Sequence, residues 1–235
     1  MNEYKRVAFF FAPVSQSPLA TFGAHWLGWD AQAGKSVPHL DVLMVDKSGL
    51  NIAISDIVAT PSKYGFHGTL KAPFRLANGK SINELCDAGH KFGKQIPKFT
   101  LETMHLAQLG SFIAITQAVP SAELNQLASK IVRNFDSFRA PLTEQDIAKR
   151  RQQKLTARQD ELMLKWGYPF IFEAFKFHLT LSGKLEPDQM ASTLNVLKEH
   201  LTEILKDPIE VNDICLFGER SDGRFEIIER FPLLG

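Results

Sequence analysis

Phe66-His67-Gly68-Thr69-Leu70 and Phe177-His178-Leu179-Thr180-Leu181 are two copies of one pattern, Phe-His-x-Thr-Leu, with the histidines 111 residues apart (178 − 67) in a chain of 235. Side chains alternate between the faces of a strand, so a histidine and the threonine two places on project together. In the second copy Lys176, His178, Thr180 and Ser182 share one face, and Phe175, Phe177, Leu179 and Leu181 share the other. The apolar face predicts packing beneath a helix, and the polar face predicts the wall of a groove. A lone His-x-Thr would carry little information; its duplication inside a longer pattern carries much more.

Working outward, the flanks repeat as well. Val7–Phe11 reads as a buried strand stopped by Pro13, and Leu19 to about Asp30 as a helix entered through Ser17-Pro18. Behind His67 come a helix from Ser81 to about Gln95, with Glu84 completing a capping box, then strands Phe99–Leu106 and Ser111–Gln117 turning at Gly110. A second strand and helix precede His178, near Ile113 and from Ser121 to about Phe135. Behind it come a helix from Pro187 to about Leu205 and strands near Val211–Phe217 and Phe225–Arg230. Residues 34–61 give no clear element.

A repeat of about half the chain predicts an α+β fold: bilobal, with duplicated antiparallel sheets, helices on the outer faces and a central groove. A pseudo-twofold axis between the halves would bring the two histidine strands face to face. We expect one bilobal domain over residues 1–235, with a charged, two-helix insertion at about 137–170 ending at Trp166-Gly167-Tyr168-Pro169.

Composition narrows the function classes. The net charge of +1 argues against a general binder of nucleic acid or acidic membranes, though a local basic groove is compatible with it. Two distant cysteines, Cys86 and Cys215, support neither a disulfide framework nor a cysteine-based zinc site. No signal sequence or membrane span is visible, so a cytoplasmic protein is expected. P-loop, GxGxxG and G-x-S-x-G patterns are missing from the sequence.

Two opposed imidazoles suit displacement at phosphorus. The unperturbed value near 6.5 lets one ring stay neutral while the other is protonated, and mutual repulsion separates their titrations. The neutral ring takes a proton from water, and the charged ring gives one to the leaving alkoxide. Thr69 and Thr180 hydroxyls would donate to the non-bridging oxygens. Which histidine is base and which acid stays open, because reversing the scissile bond exchanges the roles.

Both motifs and the half-chain repeat resemble the two-histidine (2H) phosphoesterase superfamily, which includes 2′,3′-cyclic nucleotide phosphodiesterases and RNA-ligase-like proteins. Tyr64-Gly65-Phe66-His67-Gly68-Thr69-Leu70-Lys71-Ala72-Pro73-Phe74, Arg139-Ala140-Pro141-Leu142, Trp166-Gly167-Tyr168-Pro169 and Phe175-Lys176-Phe177-His178 are similar to its phosphonate-operon branch. The resemblance spans nearly the whole chain. It implies a bilobal fold, no metal or other cofactor, and hydrolysis of a cyclic phosphate or phosphodiester, with a small phosphorylated substrate or an RNA end as partner.

On this reading the catalytic set is His67, Thr69, His178 and Thr180. Lys71 and Lys176 are either solvated strand lysines or phosphate contacts; Tyr64 either packs or stacks on a base. Tyr4, Arg6 and Phe10 are weaker candidates for the groove. The basic run Ala148–Lys154 is either a solvated helix face or a lid bringing Arg139 or Arg151 to a phosphate. A monomer is expected. The competing readings are a non-catalytic nucleotide or phosphonate-metabolite binder and a metallohydrolase. The second lacks a third ligand, since no Asp, Glu or Cys shares the groove face within two residues of either histidine.

Overall fold

A computed structural model describes residues 4–46 and 48–235. Strand β1 (Val7–Phe11) is buried on both faces: Val7, Phe9 and Phe11 join the main core, while Ala8 and Phe10 join a smaller aromatic cluster. Helix α1 (Pro18–Leu27) is capped by Ser17, whose Oγ accepts from the Ala20 N–H, and it ends at Gly28 in the left-handed conformation. It stops before the expected Asp30 because Trp29–Asp30 forms β2, paired with β3 (Lys35–Ser36). The unassigned stretch holds β3 and the short α2 (Ile54–Val58).

Strand β4 (Gly68–Phe74) starts just after His67 and runs past the expected Leu70. Helix α3 (Ile82–Gly93) carries the Ser81–Glu84 capping box. The single strand expected over Phe99–Leu106 is two, β5 (Phe99–Leu101) and β6 (Met104–Leu109), which belong to different sheets. β7 (Phe112–Gln117), α4 (Ala122–Asn134), α5 (Glu144–Arg151) and α6 (Ala157–Trp166) follow, so the charged segment does form two helices. Capping boxes at Thr143–Asp146 and Thr156–Gln159 start them. The chain closes with β8 (His178–Thr180), α7 (Pro187–Ile204), β9 (Ile209–Val211), β10 (Asp213–Glu219) and β11 (Phe225–Pro232).

The fold is α+β. Among the described residues, seven strands make one antiparallel sheet in the order β11-β10-β1-β4-β8-β7-β6. Each half of the chain lends its last strands to the other half: β6 pairs with β7, and β10 pairs with β1. The two groups of strands meet at a single register pair, Gly68 opposite Leu179. Those residues are equivalent in the repeat, each following its histidine. A second equivalent meeting occurs where β5 pairs with β9, centred on Thr100 opposite Glu210. Equivalent strands facing each other at two separate places is what a twofold relation between halves produces.

One main core lies between the sheet and helices α1, α3, α4 and α7, through Trp26, Leu85, Leu124, Ile131 and Leu197 among others. The indole of Trp26 donates to the carbonyl of Leu181, tying α1 to the end of the second motif at 2.7 Å. The opposite sheet face carries Phe10 and the histidines. No helix among the described residues is long and apolar enough to cross a membrane.

Candidate active site

A 3-10 turn at Pro61–Lys63 delivers Tyr64 and Gly65 to the foot of β4. Gly65 has φ +73°, and a β-carbon there would lie 2.7 Å from the Ala31 methyl, so position 65 demands glycine twice over. Its carbonyl accepts a hydrogen bond from Nδ1 of His67 at 2.9 Å. His178 repeats the arrangement, with Nδ1 2.9 Å from the carbonyl of Lys176. In both motifs the acceptor is the carbonyl two residues back. A carbonyl can only accept, so Nδ1 carries the hydrogen in each ring and Nε2 is left for chemistry. Neutral, that nitrogen is a base; protonated, it is an acid.

The surroundings of the two rings differ. His67 stacks on Phe10 at a centroid distance of 4.0 Å, with Phe217 and Tyr64 beside it. Burial is the main reason its imidazole is pushed down to about 4; the Gly65 hydrogen bond opposes this, and the charge of nearby His178 adds to it. Nε2 of His67 lies 3.3 Å from the Thr69 hydroxyl. His178 reaches solvent, and its ring is 5.9 Å from that of Phe112.

His67, Thr69, Tyr64 and Thr180 line one cavity of about 240 Å³, floored by Phe10 and closed by Arg150, Tyr168 and Ser182. Three of the four expected catalytic residues, His67, Thr69 and Thr180, therefore share this cavity with Tyr64, while the ring of His178 is not in its lining. Thr116, on the neighbouring strand, fixes the second motif by donating to the Phe177 carbonyl at 2.9 Å.

Lys71 stands elsewhere. Strict alternation would align it with His67 and Thr69, but the β1–β4 register slips between Thr69, opposite Phe10, and Lys71, opposite Phe9. That bulge at Leu70 turns Lys71 onto the helix side. There its ammonium donates to the Val132 carbonyl at 3.2 Å and approaches Asp136 at 3.4 Å. Burial, partly offset by Asp136, pushes it down to about 8.

Arg139 is held by Asp136 through two hydrogen bonds and by the Lys165 carbonyl. Arg151 is bound to Asp160. Lys176 is exposed, and its part in the site is the backbone carbonyl that orients His178. Tyr64 stacks on Phe225 at 5.0 Å. Of the weaker candidates, Phe10 enters the site, while the Tyr4 hydroxyl donates to Glu226 and Arg6 pairs with Glu219.

Sequence reasoning missed Arg150 and Tyr168 as site residues. The first was hidden inside a basic run whose helical phase only the fold reveals. Among the described residues, no group of three or more His, Cys, Asp or Glu side chains is placed to hold a metal ion.

A family model described as Protein of unknown function (DUF1045) matches residues 69–226. Two curated relatives carry the name Ribose 1,5-bisphosphate phosphokinase PhnN. The protein from Janthinobacterium sp. (strain Marseille) is 32% identical over 235 residues, which cover 98% of this chain and 51% of that protein. The one from Laribacter hongkongensis (strain HLHK9) is 31% identical over 218 residues, 93% of this chain and 49% of that protein. The chain thus spans about half the length of the curated relatives it matches. Among solved structures, TT0787 of Thermus thermophilus overlays with TM-score 0.45 and 11% identity, covering 98% of each chain. E. coli LigT complexed with 3′-AMP overlays with TM-score 0.43 and 15% identity, covering 99% of this chain and 100% of that one. Overlays at these scores carry no assignment.

Proposed function

Since the chain belongs to the family described as Protein of unknown function (DUF1045), we propose its chemistry from the site itself: metal-independent hydrolysis of a cyclic phosphate or phosphodiester. The observation that carries this reading is the matched orientation of His67 and His178, each with Nδ1 spent on the carbonyl two residues back and Nε2 left for chemistry, that of His67 beside the Thr69 hydroxyl.

His67 is the base. Its low value keeps it neutral around pH 7, and an anionic phosphoryl group bound beside it raises that value as the proton transfers. Water attacks phosphorus, and Nε2 of His67 takes the water's proton. The phosphorus–oxygen bond on the far side breaks, and Nε2–H of His178, the ring with access to solvent, protonates the leaving alkoxide. A phosphomonoester and an alcohol result. Solvent then removes the proton from His67 and returns one to His178. The hydroxyls of Thr69 and Thr180 donate to the non-bridging oxygens, where charge concentrates.

A ribose phosphate is the substrate class we favour. The curated relatives are named for a ribose bisphosphate, and the family resemblance points to phosphonate metabolism. The test is turnover of ribose and nucleoside cyclic phosphates in EDTA. His67→Ala and His178→Ala should each lower kcat by roughly 10²–10⁴-fold. Wild-type rates in either variant, or a rate abolished by EDTA, would overturn the proposal.

A further inference from the structure

A second cavity, of about 340 Å³, adjoins the first and shares Tyr64, Ala72, Pro73, Arg150 and Tyr168 with it. Its chemistry is different. Six cations line it: Arg6, Lys71, Arg75, Arg139, Lys149 and Arg150. Three carboxylates answer four of them, with Glu219 on Arg6, Asp146 on Arg75, and Asp136 shared by Lys71 and Arg139. The one acidic side chain in the lining among the described residues, Asp146, is further engaged by the Thr143 hydroxyl. Lys149 and Arg150 have no carboxylate among the described residues. Arg150 lies over the ring of Tyr168, 4.9 Å from its centroid, and faces both cavities.

An excess of positive charge in a concave, partly enclosed pocket attracts an anion strongly, because low-dielectric walls focus the field. Guanidinium matches phosphate oxygens in particular. The aromatic rings here are already engaged: Tyr64 on Phe225, Tyr168 beneath Arg150, and Trp166 against Arg133. The lining favours charge over a stacked base.

We propose that Lys149 and Arg150 form a second anion subsite, so that the substrate carries a phosphate monoester as well as the phosphodiester that His67 and His178 cleave. The substrate class is then a phosphorylated sugar cyclic phosphate. Helix α5 belongs to the site through Arg150, whereas Arg151, one residue on, turns to Asp160. The subsite stands on the cavity lining alone; its place in catalysis rests on the proposed hydrolysis.

Titration calorimetry with ribose 5-phosphate, which has no bond to cleave, separates the two claims. Wild type and a His67→Ala/His178→Ala variant should both bind it. Lys149→Ala/Arg150→Ala, and more mildly Arg150→Gln, should weaken binding by roughly 10- to 100-fold. Arg151→Ala is the control and should bind as wild type. Melting curves confirm that each variant is folded; α5 buries none of its residues, so folding should persist. Wild-type binding in Lys149→Ala/Arg150→Ala, loss of binding in the double histidine variant, or no binding at all would overturn the subsite. If the expected binding pattern holds while no cyclic phosphate is turned over, the proposed hydrolysis fails and the subsite remains.

Discussion

The ring of Phe177 occupies the space that a side chain at position 68 would need. Gly68 follows the first histidine and Phe177 precedes the second, so each motif supplies part of the other's packing. Gly68 is also the only residue of β4 in register with β8. This explains why the variable position of Phe-His-x-Thr-Leu is glycine in one copy and leucine in the other.

Gly68→Ala should therefore cost stability by overpacking, about 1–3 kcal/mol. Activity should fall further than stability alone predicts, because the displaced ring belongs to the residue beside His178. Urea unfolding alongside initial rates on folded protein checks both. Unchanged unfolding and rates would show that Phe177 moves aside freely.

Stability should depend on pH through His67. Its value is about 4 in the folded chain and near 6.5 when unfolded. Between these values the unfolded state holds the proton and the folded state does not, so stability falls as pH drops from about 6.5 to about 4 and changes no further below that. The loss amounts to roughly 3 kcal/mol at most. Unfolding of wild type and His67→Gln at pH 7.5 and 4.5 measures it: the variant should lose less stability between the two. Equal losses would show that the ring is charged in the folded state.

Asp136 holds both Lys71 and Arg139, so its removal strands a buried ammonium and a half-buried guanidinium. Asp136→Ala should cost about 3–5 kcal/mol. Lys71→Met should cost far less, and the double substitution should recover part of the Asp136→Ala loss. A double-mutant cycle from chemical denaturation reads this directly. Strict additivity would mean that Lys71 and Asp136 do not interact.

The histidine motifs and the helix caps at Ser17, Ser81 and Ser121 were legible because each depends on near neighbours in the chain, and the repeat because one local pattern occurs twice. Three things were not. The bulge at Leu70 depends on how β1 and β4 pair, and it reverses the face of Lys71. The split of Phe99–Leu106 depends on a partner far along the chain, since β5 pairs with β9 while β6 pairs with its hairpin neighbour β7. Arg150 was indistinguishable from its neighbours in the basic run until α5 was seated beside the cavity. Alternation and periodicity describe a strand or helix alone; partners decide where it bends and which side matters.

Because each half of the chain completes its sheet with strands from the other, a ribosome releasing this protein exposes an unfinished edge on β1 until residues 213–219 have emerged. The first histidine's scaffold is therefore among the last parts to be completed, although its residues are among the first made. Such long-range closure slows folding. It also makes the pocket conditional on the entire fold, so a severed half would lack strands on which its own histidine depends.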